Sequence, residues 1–394
     1  MNTVSAEDLK LRKKKFHDNM KRENPDWEVA LIFSKINIFY FTGTTQNGVI
    51  IIPRNGELMF FVKRSFERSM IESHLENIYP MTSYKDILEY FSPGNKTVYI
   101  EKEVVPYAYF ERFNKYFKYE TIKPLDNVLS KTRSVKTDYE LSMMTKAGEI
   151  HDEVMTKIAP NLLKEGVSEL EVGTELFKHM IYSGHQGICR MRNFNAEMFL
   201  GAICFGDNAN FYHSHDGPVG MKGISPAVPL LGSRDRKLKK NDLIIIDTVC
   251  GYGGYYTDKT LVYYYGTPPQ PLKDTHARCI SIQNEIVDML KPGNIPSEIY
   301  QKITDAIEDS FDENFMGYGS NKVKFLGHGI GLVVDEYPVI APGFDEPLQM
   351  GMTLAIEPKK SITNIGMVGI ENTFLVGENG GISLTGINHE IIEI

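Results

Sequence analysis

Two pairs of carboxylates set about glycine-containing turns constrain this chain more than any other feature. In the first pair an apolar run, Leu243-Ile244-Ile245-Ile246, ends in Asp247, and the chain returns through Gly251-Tyr252-Gly253-Gly254 into Tyr255-Tyr256-Thr257-Asp258. A hairpin centred on Tyr252 and Gly253 would make Asp247 and Asp258 opposite residues on one face of a sheet. In the second pair, Leu354-Ala355-Ile356-Glu357 and Val368-Gly369-Ile370-Glu371-Asn372-Thr373 flank Asn364-Ile365-Gly366, with Asn364 midway between the two glutamates. Apposed carboxylates repel and raise one another's pKa, so two converging pairs call for a cation.

His328, inside Gly327-His328-Gly329-Ile330-Gly331, adds a neutral imidazole where small residues let the backbone approach closely. Each acid alone could be a solvated strand-end charge or a cap. Together, Asp247, Asp258, His328, Glu357 and Glu371 predict a site for two divalent ions. Mostly oxygen ligands, one nitrogen and no thiolate suit manganese first, with cobalt, iron or zinc as alternatives, better than a structural zinc. Two such ions can hold a bridging hydroxide near neutral pH.

A chain of 394 residues is too long for one ordinary core, so two domains are expected. Apolar residues at 42% and charged residues at 24% belong to a globular protein. The net charge, 43 minus 51 or −8, offers no footprint for nucleic acid or an acidic membrane. The basic run Leu11-Arg12-Lys13-Lys14-Lys15 is the local exception and reads as the wet face of an N-terminal helix. Cys189, Cys204, Cys250 and Cys279 show no CxxC spacing and read as reduced thiols. The polar N-terminus lacks a signal-peptide core and no apolar run has the length of a membrane span, so the expected location is the cytoplasm.

In the first third, Val29 to Phe33, Val49 to Ile52, Leu58 to Val62 and Thr97 to Ile100 read as strands, with helices over Phe66 to Leu75 and Pro106 to Phe117, a small α/β domain. The polar, basic stretch Ser130-Lys131-Thr132-Arg133-Ser134 precedes a helix start at Thr137 and Glu140, a capping-box spacing. The boundary therefore falls between 135 and 136, giving domains 1–135 and 136–394. Ser168 with Glu171 starts a second helix, and Asp274 to Leu290 and Ser297 to Phe311 read as two more. Helices separated by antiparallel hairpins make the larger domain α+β.

These residues carry a resemblance. The Asp247 to Asp258 spacing, the Gly327-His328-Gly329-Ile330-Gly331-Leu332 segment, Ile356-Glu357-Pro358 and Gly369-Ile370-Glu371-Asn372-Thr373 stand in the order found in the pita-bread metallopeptidases. That group contains aminopeptidase P, prolidase and methionine aminopeptidase. The residues before about 135, with Asn37-Ile38-Phe39-Tyr40-Phe41-Thr42-Gly43, are similar to the smaller N-terminal domain of the aminopeptidase P, prolidase and creatinase branch.

The resemblance implies a C-terminal pita-bread fold and hydrolysis of Xaa-Pro bonds, in dipeptides or at the N-terminus of peptides. It also implies attack by a metal-bridging hydroxide, Glu357 as proton shuttle as well as ligand, and a homodimer. His213, after Gly206-Asp207-Asn208-Ala209-Asn210-Phe211-Tyr212, matches a histidine that contacts substrate; the bland alternative is a hydrogen-bonded turn. His215 would share its strand face if the segment is extended.

Two positions depart from the family pattern. Seven residues after the metal histidine, where a second substrate histidine usually stands, this chain has Asp335. Near the last glutamate, where an arginine is frequent, it has Gly369, so a positive charge near the site is missing. Asp335 in the pocket would favour a substrate amine; outside it, the residue would be a cap. Arg190 and Arg192 could supply the compensating charge or form structural ion pairs. These departures keep open a metal-dependent hydrolase or lyase of small molecules on the same fold. A non-catalytic pita-bread binding protein is the third possibility, although no ligand is lost.

Overall fold

In the computed structural model, residues 3–92, 94, 96–387 and 390–394 are described. The chain divides into two compact units, Met1–Arg133 and Ser134–Ile394.

In the first unit a six-stranded sheet runs in the order Ile78–Pro80, Met59–Val62, Gly48–Pro53, Val29–Ile32, Thr97–Ile100, Thr121–Pro124. Strand Val29–Ile32 is buried throughout and Gly48–Pro53 is buried between its two end residues, so their apolar residues are continuous rather than alternating. All four strands read from the sequence are present. The two edge strands carried too few apolar residues to be seen. Helices Phe66–Glu72 and Tyr107–Phe117 also form as expected, the latter burying Phe110, Phe113 and Phe117.

The basic run keeps Lys14 exposed and Lys13 and Lys15 partly so, as expected of a wet helix face, with one exception. It lies on helix Ala6–Glu23, but Arg12 is fully buried, its Nε 2.6 Å from Asp8 and its Nη1 donating to the Tyr40 carbonyl at 2.9 Å. A buried guanidinium requires such partners. Leu11 points out instead. Ser130 to Ser134, the polar stretch before the helix start, form the end of helix Asp126–Ser134, with Lys131 paired to Glu23 at 3.0 Å.

In the second unit both capping boxes form. Thr137 and Glu140 open helix Asp138–Glu153, and Ser168 and Glu171 open helix Glu169–Ser183. The third helix, Gln270–Asp288, starts four residues before the predicted Asp274. The fourth, Pro296–Asp305, stops early, and Asp309–Asp312 forms a separate turn.

The strands fall mainly into a four-stranded sheet and a five-stranded one. In the former, Leu243–Tyr252 pairs with Tyr255–Tyr264 and with Gly201–Phe205. In the latter, Thr353–Ile356 lies between Gly327–Gly329 and Asn372–Gly377. Strand alternation separates two environments. Ile244 and Ile246 enter an apolar cluster with Val154 and Met155 below helix Asp138–Glu153, whereas Leu243 and Ile245 enter another on the opposite face. Asp247 continues that second face.

Candidate metal centre

The first carboxylate hairpin has a tighter turn than the sequence suggested. Tyr252 pairs with Tyr255 across Gly253 (φ 59°) and Gly254 (φ 98°), so Asp247 lies opposite Thr260 and Asp258 opposite Val249. A two-residue turn with positive φ at both positions matches the right-handed twist of the strands, which is why the glycine pair takes it. The register differs by two from the expected one. Because side chains alternate with period two, Asp247 and Asp258 still share a face, as diagonal neighbours.

The second hairpin has the expected symmetry. Ile356 pairs with Asn372 and Lys359 with Gly369, which places Glu357 opposite Glu371 where one ladder gives way to the next. Asn364 takes the left-handed turn position at φ 62°. The strand of His328 lies beside Thr353–Ile356, and the Glu357 amide donates to the Leu326 carbonyl at 3.0 Å, so His328 and Glu357 share a face. Thr260 bridges to Glu371, its hydroxyl donating to Oε2 at 2.9 Å, and so joins the two hairpins.

Register alone thus turns all five residues toward one place. Oxygen or nitrogen atoms of Asp258, His328 and Glu371 lie within 4.8 Å of one another, as do those of Asp247, Glu357 and Glu371. Nδ1 of His328 is 3.0 Å from the Gly329 carbonyl, which can only accept, so Nδ1 carries the proton and Nε2 faces Glu357 Oε1 at 3.6 Å. Oδ1 of Asp258 is buried without a hydrogen-bond partner. An orphaned carboxylate oxygen beside an outward-facing imidazole nitrogen fits a divalent cation.

The electrostatics agree. Burial, then Glu371 and Asp247, push the Asp258 carboxyl well above its usual range, and burial with Glu357 raises Glu371. Burial alone would lower His328, but Asp335, Glu357 and Glu371 outweigh it and raise its pKa. These acids resist ionising together unless positive charge is near.

An open cavity of ≈ 560 Å³ reaches the cluster, lined by Asp247, Asp258, His328, Glu357 and Glu371 together with His215 and Asp335. His213 stands one step back, in an adjoining cavity of ≈ 830 Å³ that His215 and Asp335 also line, and its Nδ1 accepts the His215 amide at 3.1 Å. Asp335 sits at φ 64° with Oδ1 3.6 Å from His328 Nδ1. Among the described residues, neither arginine lines these two cavities. Met191, between them, bridges to Val334, and Arg190 lies near Tyr256, whose phenol burial pushes up to about 12 against the opposing pull of that guanidinium.

Sequence reasoning missed Lys359. Its fully buried ammonium donates to Glu357 Oε2 and Glu371 Oε2 at 2.7 Å and to Asp247 Oδ2 at 3.0 Å. The positive charge judged missing at Gly369 is present on the facing strand.

The family model for metallopeptidase family M24 matches residues 142–378, and that for the creatinase/prolidase N-terminal domain matches 12–135. The chain belongs to metallopeptidase family M24. It is 27% identical over 373 residues to an Xaa-Pro dipeptidase of Pyrococcus horikoshii, covering 93% of this chain and 94% of that one. An uncharacterized peptidase of Staphylococcus epidermidis is also 27% identical, over 92% of this chain and 96% of its own length.

Among solved structures, the prolidase from Pyrococcus horikoshii OT3 superposes with a TM-score of 0.77 at 25% identity, covering 97% of this chain and 100% of that one. An Xaa-Pro dipeptidase from Bacillus anthracis gives 0.79 at 21% identity over 98% and 100% of the two chains, a likeness of fold. The M24 chain thus has the pita-bread fold with a creatinase-type N-terminal domain, as the resemblance implied. Within this M24 site the departures cluster together, since Asp335 borders His328 and Gly369 backs Lys359.

Proposed function

We propose that this M24 chain is a metal-dependent peptidase that hydrolyses the bond between an N-terminal residue and proline, in dipeptides or at the start of longer peptides. The observation that carries this reading is the convergence of Asp247, Asp258, His328, Glu357 and Glu371 on one cavity wall, with full-length relatives named Xaa-Pro dipeptidases. The five residues are the proposed ligands. A divalent ion held there would supply Lewis acidity to the scissile carbonyl and to the attacking water.

The rest falls to the protein. Glu357 is positioned to take the proton of the attacking water and return it to the proline nitrogen, which must be protonated to leave. We assign the substrate contact near the scissile bond to His215, on the cavity wall, rather than to His213, which the resemblance implied and whose Nδ1 accepts the His215 main-chain amide. Asp335, an acid at the same wall, suits the free amine of the substrate. The oxygen-rich ligand set suits manganese, and we place the enzyme in the cytoplasm as a homodimer, the commonest soluble assembly.

The test is proline release from Xaa-Pro dipeptides, Xaa-Pro-Xaa tripeptides and their N-acetylated forms, by chelator-stripped protein with and without added manganese. Metal-dependent cleavage of the free-amine substrates, with N-acetylation abolishing it, is the expected result. Absence of cleavage from metal-loaded protein would overturn the reading in favour of a small-molecule enzyme.

A further inference from the structure

Lys359 occupies a place that its neighbours define. An ammonium group has three N–H donors, and all three are met by carboxylate oxygens, one each from Asp247, Glu357 and Glu371. Those acids are also one of the two candidate ligand groups of the centre. An ion coordinated by the same three oxygens would have to fill the volume that Nζ fills. The side chain is fully buried and its Cγ lies against Gly369.

Gly369 is part of the same arrangement. It pairs with Lys359 across the ladder, and a Cβ built on it would stand 2.6 Å from Lys359 Cγ and 2.7 Å from its Cα. A side chain at 369 would also meet the Pro358 carbonyl oxygen at 2.7 Å, so the facing strand and the stem of the lysine would have to shift. A larger residue at 359 and none at 369 is one packing solution, seated between two glutamates that are themselves in register.

The other ligand group is left open. Glu357 and Glu371 each give Oε2 to the lysine and turn Oε1 toward His328 Nε2, at 3.6 and 3.9 Å. The unpartnered Asp258 Oδ1 completes that side. Both glutamates therefore bridge two cation positions, of which the protein itself fills one.

We propose that Lys359 is a built-in cation replacing one ion of the pair, so that the centre binds a single divalent ion between Asp258, His328, Glu357 and Glu371. This rests on reading the cluster as a metal centre. With one ion, four of the five proposed ligands hold the metal and Asp247 serves instead as the lysine's counter-charge, and the ammonium beside Glu357 and Glu371 fixes which of their oxygens remain for the metal.

The decisive experiment counts ions. Full-length protein, stripped with chelator, reloaded with excess manganese and gel-filtered, is analysed by elemental mass spectrometry and electron paramagnetic resonance. The expected result is one ion per wild-type chain with the six-line spectrum of isolated Mn(II), and two ions with an exchange-coupled spectrum in Lys359→Gly. Two ions in wild type, or a folded Lys359→Gly that still takes only one, would overturn the proposal. Should the variant not fold, the wild-type count and spectrum decide by themselves. No ion bound by wild type would sink the metal-centre reading as well, whereas two ions would sink the lysine's role alone.

Discussion

The proposed ligands depend on neighbours that do not themselves line the cavity. Thr260 holds Glu371 through a 2.9 Å hydrogen bond, and Thr373 exchanges hydrogen bonds with the backbone of Asp258, accepting from its amide at 2.8 Å and donating to its carbonyl at 3.0 Å. Such outer contacts orient ligands and typically change metal affinity by about 10–100-fold when lost. Thr260→Val keeps shape and burial while removing the donor to Glu371. A drop in manganese affinity within that range, at a melting temperature close to wild type for the metal-free proteins, is expected from calorimetric titration; unchanged affinity would mean that Glu371 is held by its register alone. At this scale the sequence exposed the acids and the histidine, because metal-ligating residue types are few. Lys359 escaped notice because a lysine after Glu357 and Pro358 looks like a surface charge until Gly369 is known to lie across from it.

The hairpins position the proposed ligands, and their turns set the register. Gly253 and Gly254 both adopt positive φ, and a Cβ on Gly253 would come within 2.5 Å of Met143 Sδ on helix Asp138–Glu153. Gly253→Ala should therefore destabilise the fold by about 1–3 kcal/mol, the usual cost of an unfavourable backbone conformation, and lower metal affinity with it. Equilibrium denaturation with and without manganese measures both, and an unchanged midpoint would show that the turn does not constrain the hairpin. The same turn explains the two-residue register error made from the sequence. Glycine marks where a chain can reverse but not which pair of residues forms the tip, whereas the shared face was legible because parity survives a shift of two.

For the molecule as a whole, acid sensitivity follows from an interior histidine. His151 lies fully buried behind the first hairpin between Thr248 Oγ1, 3.0 Å from Nε2, and Thr257 Oγ1, 3.2 Å from Nδ1. Burial, reinforced by Lys259 and His185, depresses its pKa well below 6.5. The unfolded chain therefore takes up a proton that the native state refuses, so this contribution is intact above about pH 6.5 and falls by about 1.4 kcal/mol for each pH unit below it. His151→Gln should be less stable than wild type at pH 7 yet show a flatter decline between pH 6.5 and 5 in denaturant titrations. Parallel declines would mean that His151 is not the group responsible.

The sequence by itself determined the domain types, the pita-bread family and the five converging ligand candidates. Those properties reside in local alternation, turn residues and the spacing of rare side chains, which any fold of this chain must respect. The buried Arg12, the helix over the basic stretch at 130–134, the entry of His215 and Asp335 into the cavity wall and the seat of Lys359 among three carboxylates were decided only by tertiary structure. Each depends on which distant strand or helix comes to lie opposite, and a long charged side chain is stabilised inside only by partners that the fold alone brings to it.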